Sequence, residues 1–195
     1  MAADATVFFA LWLQKPLRIA AVNPSGQRLA DAIAAQVDLS RPGPVLELGA
    51  GTGSLTGGLI RAGCPPERII ALEREPHLAA IVRRKFPAVS VIEGDATRVG
   101  EHPALCSRQL CAVVSSLPIK WFPPDEQHAV VRPCLDRLGR GGKFIQLTNA
   151  FRSPLAMAAL GITGNEVGRV WLNLPPAQIW SYSDPDPAAE QGRAP

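Results

Sequence analysis

Three glycines follow an apolar stretch early in the chain, at positions 49, 51 and 53 of the segment ELGAGTG (47–53). Glycine is a poor residue for a strand or a helix, so such a cluster indicates that the backbone approaches another molecule there. Two cofactor classes bind at a glycine turn after the first strand of a parallel sheet. A dinucleotide-binding turn would place its third glycine where Ser54 stands, whereas the GxGxG spacing fits S-adenosylmethionine.

Acidic residues accompany the glycine turn. Glu47, inside the strand, can face the ammonium group of S-adenosylmethionine, a group that no dinucleotide carries. Glu73 closes the next predicted strand, where a carboxylate can accept hydrogen bonds from ribose hydroxyls, and Asp95 follows the third strand, within reach of the adenine amino group. The predicted cofactor-binding residues are Ser25, Glu47, Gly49, Ala50, Gly51, Gly53, Glu73, Arg74, Gly94, Asp95, Ala96 and Ser115.

The fourth predicted strand ends in SSLP (115–118). In class I methyltransferases that act on nitrogen, a polar residue, one further residue and a proline stand at this place, often followed by an aromatic residue. Ser116, Leu117 and Pro118 are therefore the candidate catalytic residues, with the Ser116 side chain and the Leu117 carbonyl orienting an amine. Ile119 replaces the aromatic residue, and Trp121 follows shortly after. The alternative is that the proline merely ends a strand.

A sheet must position these residues. Apolar runs at 44–49, 68–73, 89–93, 110–116 and 143–148 alternate with helical patterns, which predicts a parallel sheet covered by helices on both faces. Two further runs, at 168–173 and 177–183, have no room for a helix between them and predict an antiparallel hairpin at the sheet edge. The predicted fold is α/β and Rossmann-like, with a seven-stranded, mostly parallel sheet and N-terminal helices.

Length and composition set the organisation. The 195 residues fit one domain, and the net charge of +3 permits anionic lipid or nucleic acid as a partner without demonstrating either. The four cysteines form no CxxC pair, so no metal site is predicted and buried, reduced thiols are expected. We predict an N-terminal amphipathic helix in 1–22, a methyltransferase domain over 23–183 and a disordered tail over 184–195.

Together these motifs resemble the bacterial phospholipid N-methyltransferases, the small type that methylates phosphatidylethanolamine. The likeness covers almost the whole chain, from the N-terminal helix through PSG, LELGAGTG, GDA, VVSSLP and FPP to the closing GRVWLNLPPAQIWSY. The glycine motif identifies only the superfamily, whereas SSLP with FPP and the RVWLNLPPA ending are far more specific. A more distant likeness links the chain to ribosomal RNA adenine dimethylases.

The resemblance implies repeated methylation of phosphatidylethanolamine and its mono- and dimethyl derivatives towards phosphatidylcholine. It also implies a cytoplasmic protein that docks on an anionic membrane surface, at the inner face, through its N-terminal helix. The segment VFFALWL (7–13), followed by Lys15 and Arg18, permits such docking. The same helix can instead pack on the protein's own core as a lid.

Three further residues are candidate substrate-binding residues. Lys120 and Arg152 can meet the lipid phosphate, and the ring of Trp121 can hold a methylated cation. Neither nucleic acid nor metal is expected as a partner. The alternative function is an RNA or small-amine N-methyltransferase of the same fold, which the mild charge and the apolar N-terminal segment disfavour.

Overall fold

The computed structural model describes residues 24–106, 108–139, 141–150, 152–171 and 176–185. The predicted N-terminal helix lies outside the described residues, and so does the predicted tail beyond residue 185. Asp184, where the tail was predicted to begin, forms a bidentate ion pair with Arg132, with nitrogen–oxygen distances of 2.7 and 2.8 Å. Specific contacts of the domain therefore extend at least to residue 184.

Seven strands form one sheet. They are β1 (Val45–Leu48), β2 (Ile69–Glu73), β3 (Ser90–Glu93), β4 (Ala112–Ser115), β5 (Phe144–Thr148), β6 (Thr163–Val170) and β7 (Ala177–Ser183). Their order across the sheet is β3-β2-β1-β4-β5-β7-β6. The first five strands pair in parallel, whereas β7 is antiparallel to both β5 and β6. The predicted α/β fold with a closing antiparallel hairpin is confirmed.

Helices connect the strands. They are α1 (Pro24–Ala34), α2 (Ser54–Arg61), α3 (Pro76–Lys85), α4 (Pro103–Cys106), α5 (Pro124–Leu135) and α6 (Met157–Leu160). Pro76 and Pro124 occupy the first position of their helices, where the missing N–H costs nothing. Ser25, one of the predicted cofactor-binding residues, lies within the first turn of α1.

The central strands of the sheet are buried on both faces, which is why β1, β2 and β4 are apolar almost throughout. Leu46 and Leu48 point to one face and pack with residues of α5, whereas Val45 packs on the other face with residues of α1 and α2. Burial on both faces holds the carboxyl ends of the parallel strands in line. Apart from Ser25, the predicted cofactor-binding residues all lie at the carboxyl end of a parallel strand or directly after it.

Two expectations need correction. β6 begins at Thr163, five positions before the predicted run at 168. The prediction missed these residues because β6 is an exposed edge strand whose polar sequence, TGNEVGRV, contains no apolar run. The cysteines were expected to be buried, and Cys64, Cys111 and Cys134 are, but Cys106 is exposed. It lies at the end of a single-turn helix over the face of the sheet.

Candidate active site

The glycine turn joins β1 to α2. Gly49, Gly51 and Gly53 have φ angles of 77°, 56° and 83°, in the left-handed region that favours glycine. A Cβ on Gly49 would lie 2.9 Å from the Leu117 side chain, and one on Gly53 would lie 2.7 Å from the Phe86 ring. Side chains at positions 49 and 53 would therefore meet Leu117 and Phe86, so glycine is required there by both backbone geometry and space.

Glu73 ties this turn to the end of β2. Its buried carboxylate accepts hydrogen bonds from the Gly51 N–H at 2.7 Å and from the Glu75 N–H at 2.9 Å. A carboxylate has about four acceptor positions, so two bonds leave capacity for ribose hydroxyls. The neighbouring Arg74 is exposed and lies 3.6 Å from the Glu75 carboxylate.

A cavity of about 260 Å³ opens beside the end of β3. Gly94 and Asp95 line it, together with Leu72, Val99 and His102. Asp95 Oδ1 accepts hydrogen bonds from the N–H and hydroxyl of Thr97, both at 2.9 Å, which fixes the carboxylate at the rim. Apolar walls with a polar rim suit a flat heteroaromatic ring. Ala96, also predicted here, is buried below that rim.

Glu47 lies under the first turn of α2. Its carboxyl group is fully buried, and Oε2 accepts a 2.6 Å hydrogen bond from the Thr56 hydroxyl. The other oxygen, Oε1, has no partner among the residues that the structure describes. Burial raises the pKa of Glu47 to about 8, the Thr56 hydroxyl opposes the shift and the Glu73 charge adds to it. An orphaned buried acceptor of this kind fits a cationic ligand group.

The SSLP segment lies against the glycine turn. The Ser116 hydroxyl donates a 2.7 Å hydrogen bond to the Gly49 carbonyl, and its backbone N–H donates to the Leu48 carbonyl at 3.1 Å. Because the hydroxyl proton is engaged, the oxygen lone pairs can accept hydrogens from an amine. The buried Ser115 hydroxyl accepts from the Leu117 N–H at 3.3 Å. The candidate catalytic residue Ser116 is thereby hydrogen-bonded directly to the glycine turn.

Past the strand, Pro118 precedes a single 3₁₀ turn over Ile119–Trp121. Ile119, which stands where an aromatic residue often follows the proline, is buried. The nearby aromatic residue Trp121 is 57 % exposed. Lys120 Nζ lies 4.9 Å from the centre of that ring. Arg152 is exposed in the segment after β5. These three predicted substrate-binding residues are therefore surface residues and are not buried in the site.

Sequence reasoning missed two residues of the site. Thr56 holds Glu47, and Gln146 donates from Nε2 to the Leu117 carbonyl at 2.9 Å. Thr56 lies in the first turn of α2, where the sequence has no recognisable motif. Gln146 stands in the predicted strand KFIQLT (143–148), where the pattern alone gives no reason to single out one polar residue.

Three features of the site fit S-adenosylmethionine: the glycine turn, the unpartnered Glu47 oxygen and the cavity at Asp95. Together with the strand order, they define a class I methyltransferase. A family model described as "Methyltransferase domain" matches residues 45–142. The chain belongs to this family, and S-adenosylmethionine is its cofactor.

The chain is also similar to individual proteins of this class. It is 30 % identical over 151 residues to an ornithine lipid N-methyltransferase from Singulisphaera acidiphila, covering 74 % of this chain and 78 % of that one. It is 41 % identical over 66 residues to ribosomal RNA small subunit methyltransferase A from Anaeromyxobacter dehalogenans, covering 33 % of this chain and 22 % of the relative.

A solved structure shares the fold. Magnesium protoporphyrin IX methyltransferase from Synechocystis PCC 6803, with bound SAM, superposes with a TM-score of 0.61 at 16 % identity, covering 89 % of this chain and 84 % of that one.

Metal-binding groups and membrane-spanning helices can be sought only in the residues that the structure describes. They contain no group of three His, Cys, Asp or Glu residues placed to hold a metal ion. No helix within them is long and apolar enough to cross a membrane.

Proposed function

We propose that this protein is a phospholipid N-methyltransferase that methylates the amine of phosphatidylethanolamine and then its mono- and dimethyl derivatives, towards phosphatidylcholine. The hydrogen bond from Ser116 to the Gly49 carbonyl carries the proposal. It joins an acceptor pair suited to an amine, the Ser116 hydroxyl and the Leu117 carbonyl, to the turn that would hold the cofactor. The similarity to an ornithine lipid N-methyltransferase supports a lipid amine as the acceptor.

The residues would act by orientation. Bound S-adenosylmethionine supplies an electrophilic methyl group. For phosphatidylethanolamine itself, Ser116 Oγ and the Leu117 carbonyl would each accept one N–H of the neutral primary amine, which turns the nitrogen lone pair towards the cofactor. The monomethyl amine would keep one of these hydrogen bonds, and the dimethyl amine, which has no N–H, would be held by the surrounding pocket alone. Holding two reactants in line is worth up to about 7–11 kcal/mol. Glu47, Glu73 and Asp95 would hold the ammonium, ribose and adenine groups of the cofactor, and Gly49, Gly51 and Gly53 would leave room for its backbone contacts.

The amine must reach the site without its proton. Alkyl amines have pKa values of about 10 in water, so most are protonated at neutral pH. Burial disfavours the charged form and lowers that pKa. His77 and His128 are exposed, and Tyr182 is buried against Ser153. His102 lines the cavity beside Asp95, which the adenine ring would fill. We therefore assign none of these four residues as the general base. Desolvation with loss of the proton to water is the route we propose.

Two exposed tryptophans support a lipid surface at the same edge of the sheet. β4, β5 and β6 run in one direction, so the segments after β4 and β6 emerge at the carboxyl edge. Trp121 and Trp171, 57 % and 68 % exposed, lie in those segments. Lys120 lies beside the first ring and the Arg169 guanidinium lies 5.1 Å from the second. Tryptophan and basic side chains are typical of membrane–water interfaces.

In this proposal the protein is cytoplasmic and peripherally bound to the inner face of the membrane. The carboxyl edge would face the headgroups, and the predicted N-terminal helix, outside the described residues, would add a second contact. Lys120 or Arg152 would meet the lipid phosphate, and Trp121 would lie near the methylated headgroup. Metal and nucleic acid have no part in the proposed reaction.

The test uses purified protein, radiolabelled S-adenosylmethionine and liposomes of three kinds. One contains phosphatidylethanolamine, one contains ornithine lipid and one contains neither amine lipid. We expect label in mono-, di- and trimethylated phosphatidylethanolamine, separated by chromatography. Label only with ornithine lipid would keep the lipid class and change the substrate.

The alternative is an RNA N-methyltransferase, which the short similarity to ribosomal RNA small subunit methyltransferase A favours. The matched segment covers only a third of this chain, and the lipid relative matches 74 % of it. A fourth reaction with ribosomal RNA in place of liposomes tests it. Label in RNA and none in lipid would overturn the lipid proposal.

A further inference from the structure

Gln146 is a polar residue in the middle of the sheet. It lies on β5 between its two neighbouring strands, paired in register with Ser115 of β4 and Trp180 of β7. Its side chain is fully buried. Glutamine is rarely buried without a specific set of partners, so its contacts indicate why it stands there.

The amide nitrogen of Gln146 is engaged by two carbonyls. Nε2 donates to the Leu117 carbonyl at 2.9 Å and to the Leu147 carbonyl at 2.6 Å. Because both neighbours are acceptors, only the NH₂ end of the amide can face them, which fixes the orientation of the side chain. The contact with Leu117 joins β5 to the candidate catalytic segment.

The amide oxygen has the opposite environment. Oε1 is buried and has no hydrogen-bond partner in the part of the chain that the structure describes. A buried polar atom without a partner lowers stability, and an apolar side chain of the same length would avoid that cost. Packing of the sheet alone therefore does not account for a glutamine here. The Leu117 contact does.

The Leu117 carbonyl needs such an anchor. Residue 118 is a proline, so the peptide group between Leu117 and Pro118 has no N–H. Its carbonyl is then the one polar group through which the orientation of that peptide plane can be held. A carbonyl oxygen has two lone pairs, and the bond from Gln146 occupies one of them. The other is left for a ligand.

We propose that Gln146 is a positioning residue, which holds the Leu117 carbonyl so that its second lone pair accepts an N–H of the substrate amine. The inference rests on the proposed function. Ser116 is fixed from the side of β1 through Gly49, and Leu117 is fixed from the side of β5 through Gln146. The two acceptors of the amine are thus held by the two strands that flank β4.

The test replaces the amide by an apolar chain of similar length, Gln146→Met, with Gln146→Leu as a second variant. Gln178→Met is the matched control, because Gln178 is also buried, lies on the adjacent strand β7 and bonds through Oε1 to the Trp180 indole N–H at 3.1 Å. The full-length proteins are compared for kcat and KM with liposomes, and for the Kd of S-adenosylmethionine by calorimetry.

We expect kcat of Gln146→Met and Gln146→Leu to fall about 10- to 100-fold, the scale of a misoriented reacting group. KM for the lipid and Kd for the cofactor should stay within about twofold of wild type, because the lost contact acts on orientation. Gln178→Met should keep the wild-type kcat. Loss of kcat with an equal loss of cofactor affinity would overturn the inference, since it would indicate general damage to the site.

The outcomes separate the inference from the proposed function. Wild-type activity on a lipid amine, with unchanged kcat in both Gln146 variants, would overturn the inference and leave the function standing. A wild-type protein that methylates no lipid amine would overturn both. A drop in kcat restricted to the Gln146 variants would support both.

Discussion

The Ser116 hydroxyl joins the two parts of the candidate site, the glycine turn after β1 and the SSLP segment after β4. Its proton is donated to the Gly49 carbonyl, so the amine would meet only its lone pairs. One side chain therefore sets both the distance between the acceptor and the glycine turn and the direction from which an amine is accepted.

Ser116→Ala tests that assignment. We expect kcat to fall about 10- to 100-fold, because one of the two amine acceptors is lost. The Kd of S-adenosylmethionine should rise by a smaller factor, since the Gly49 carbonyl loses one partner while the turn keeps its bonds to Leu72. Single-turnover kinetics and calorimetry measure the two effects. Ser40→Ala, an exposed serine in the loop after α1, is the control, and equal losses in kcat and affinity would argue against the role.

Glu47 makes the stability of the protein depend on pH. Burial raises its pKa from 4.5 to about 8, so between these values the folded protein keeps a proton that the unfolded chain has lost. The stabilising contribution is complete at pH values below about 4.5 and is lost as pH rises towards about 8. We expect the free energy of unfolding of the cofactor-free protein to fall over this range, and Glu47→Gln to flatten the dependence. Urea unfolding at several pH values measures it; equal slopes in both proteins would contradict this.

Position along the chain was enough to find some residues of the site and not others. The glycines, Glu73 and Asp95 stand directly after apolar strands, where the carboxyl edge of a parallel sheet collects ligand-binding groups. Thr56 and Gln146 act through partners 9 and 29 residues away. Only the three-dimensional register shows that Gln146 lies beside Leu117.

At the scale of elements, the turn between β1 and α2 depends on backbone geometry and on space together. Gly161, which follows α6, provides a comparison, because its φ of 63° is also left-handed but nothing lies within 4 Å of a Cβ placed there. Gly49 has the same backbone requirement and the Leu117 side chain 2.9 Å from such a Cβ. Comparing the two glycines therefore separates the effect of backbone strain on stability from the effect of steric crowding.

We expect Gly161→Ala to cost about 1–2 kcal/mol of stability through strain alone. Gly49→Ala should cost about 1–3 kcal/mol more, because the added methyl group must displace Leu117, and it should weaken cofactor binding. Chemical denaturation and calorimetry measure both variants. If the two substitutions had the same effect on stability, crowding at the turn would be excluded as the reason for Gly49.

The sequence predicted the first five strands well and the edge strand β6 poorly. β1 to β5 lie within two residues of the predicted runs at each end. For β1, β2, β4 and β5 the reason is burial on both faces, which makes such strands mostly apolar. β6 is half exposed and polar, and its register with β7 shifts between Glu166 and Gly168. A strand of that kind has no signal at the level of composition.

For the whole molecule, the carboxyl edge is the proposed membrane-facing side. We expect a double variant, Trp121→Ala with Trp171→Ala, to bind anionic liposomes several-fold more weakly, because two interfacial anchors are lost. The control is Glu67→Ala with Arg108→Ala, exposed residues that precede β2 and β4 and so lie at the opposite edge. Co-sedimentation with liposomes measures both. Equal loss in the control would contradict the assignment of this edge.

The position of β7 has a consequence for synthesis on the ribosome. β7 is the last of the seven described strands in chain order, yet it lies between β5 and β6. While the chain is being translated, β5 keeps one side without a hydrogen-bonded neighbour until residues 177–183 have emerged. An unpaired strand side can pair with another chain. A nascent chain stalled before β7 would therefore keep that side of β5 open and would be a target for chaperones.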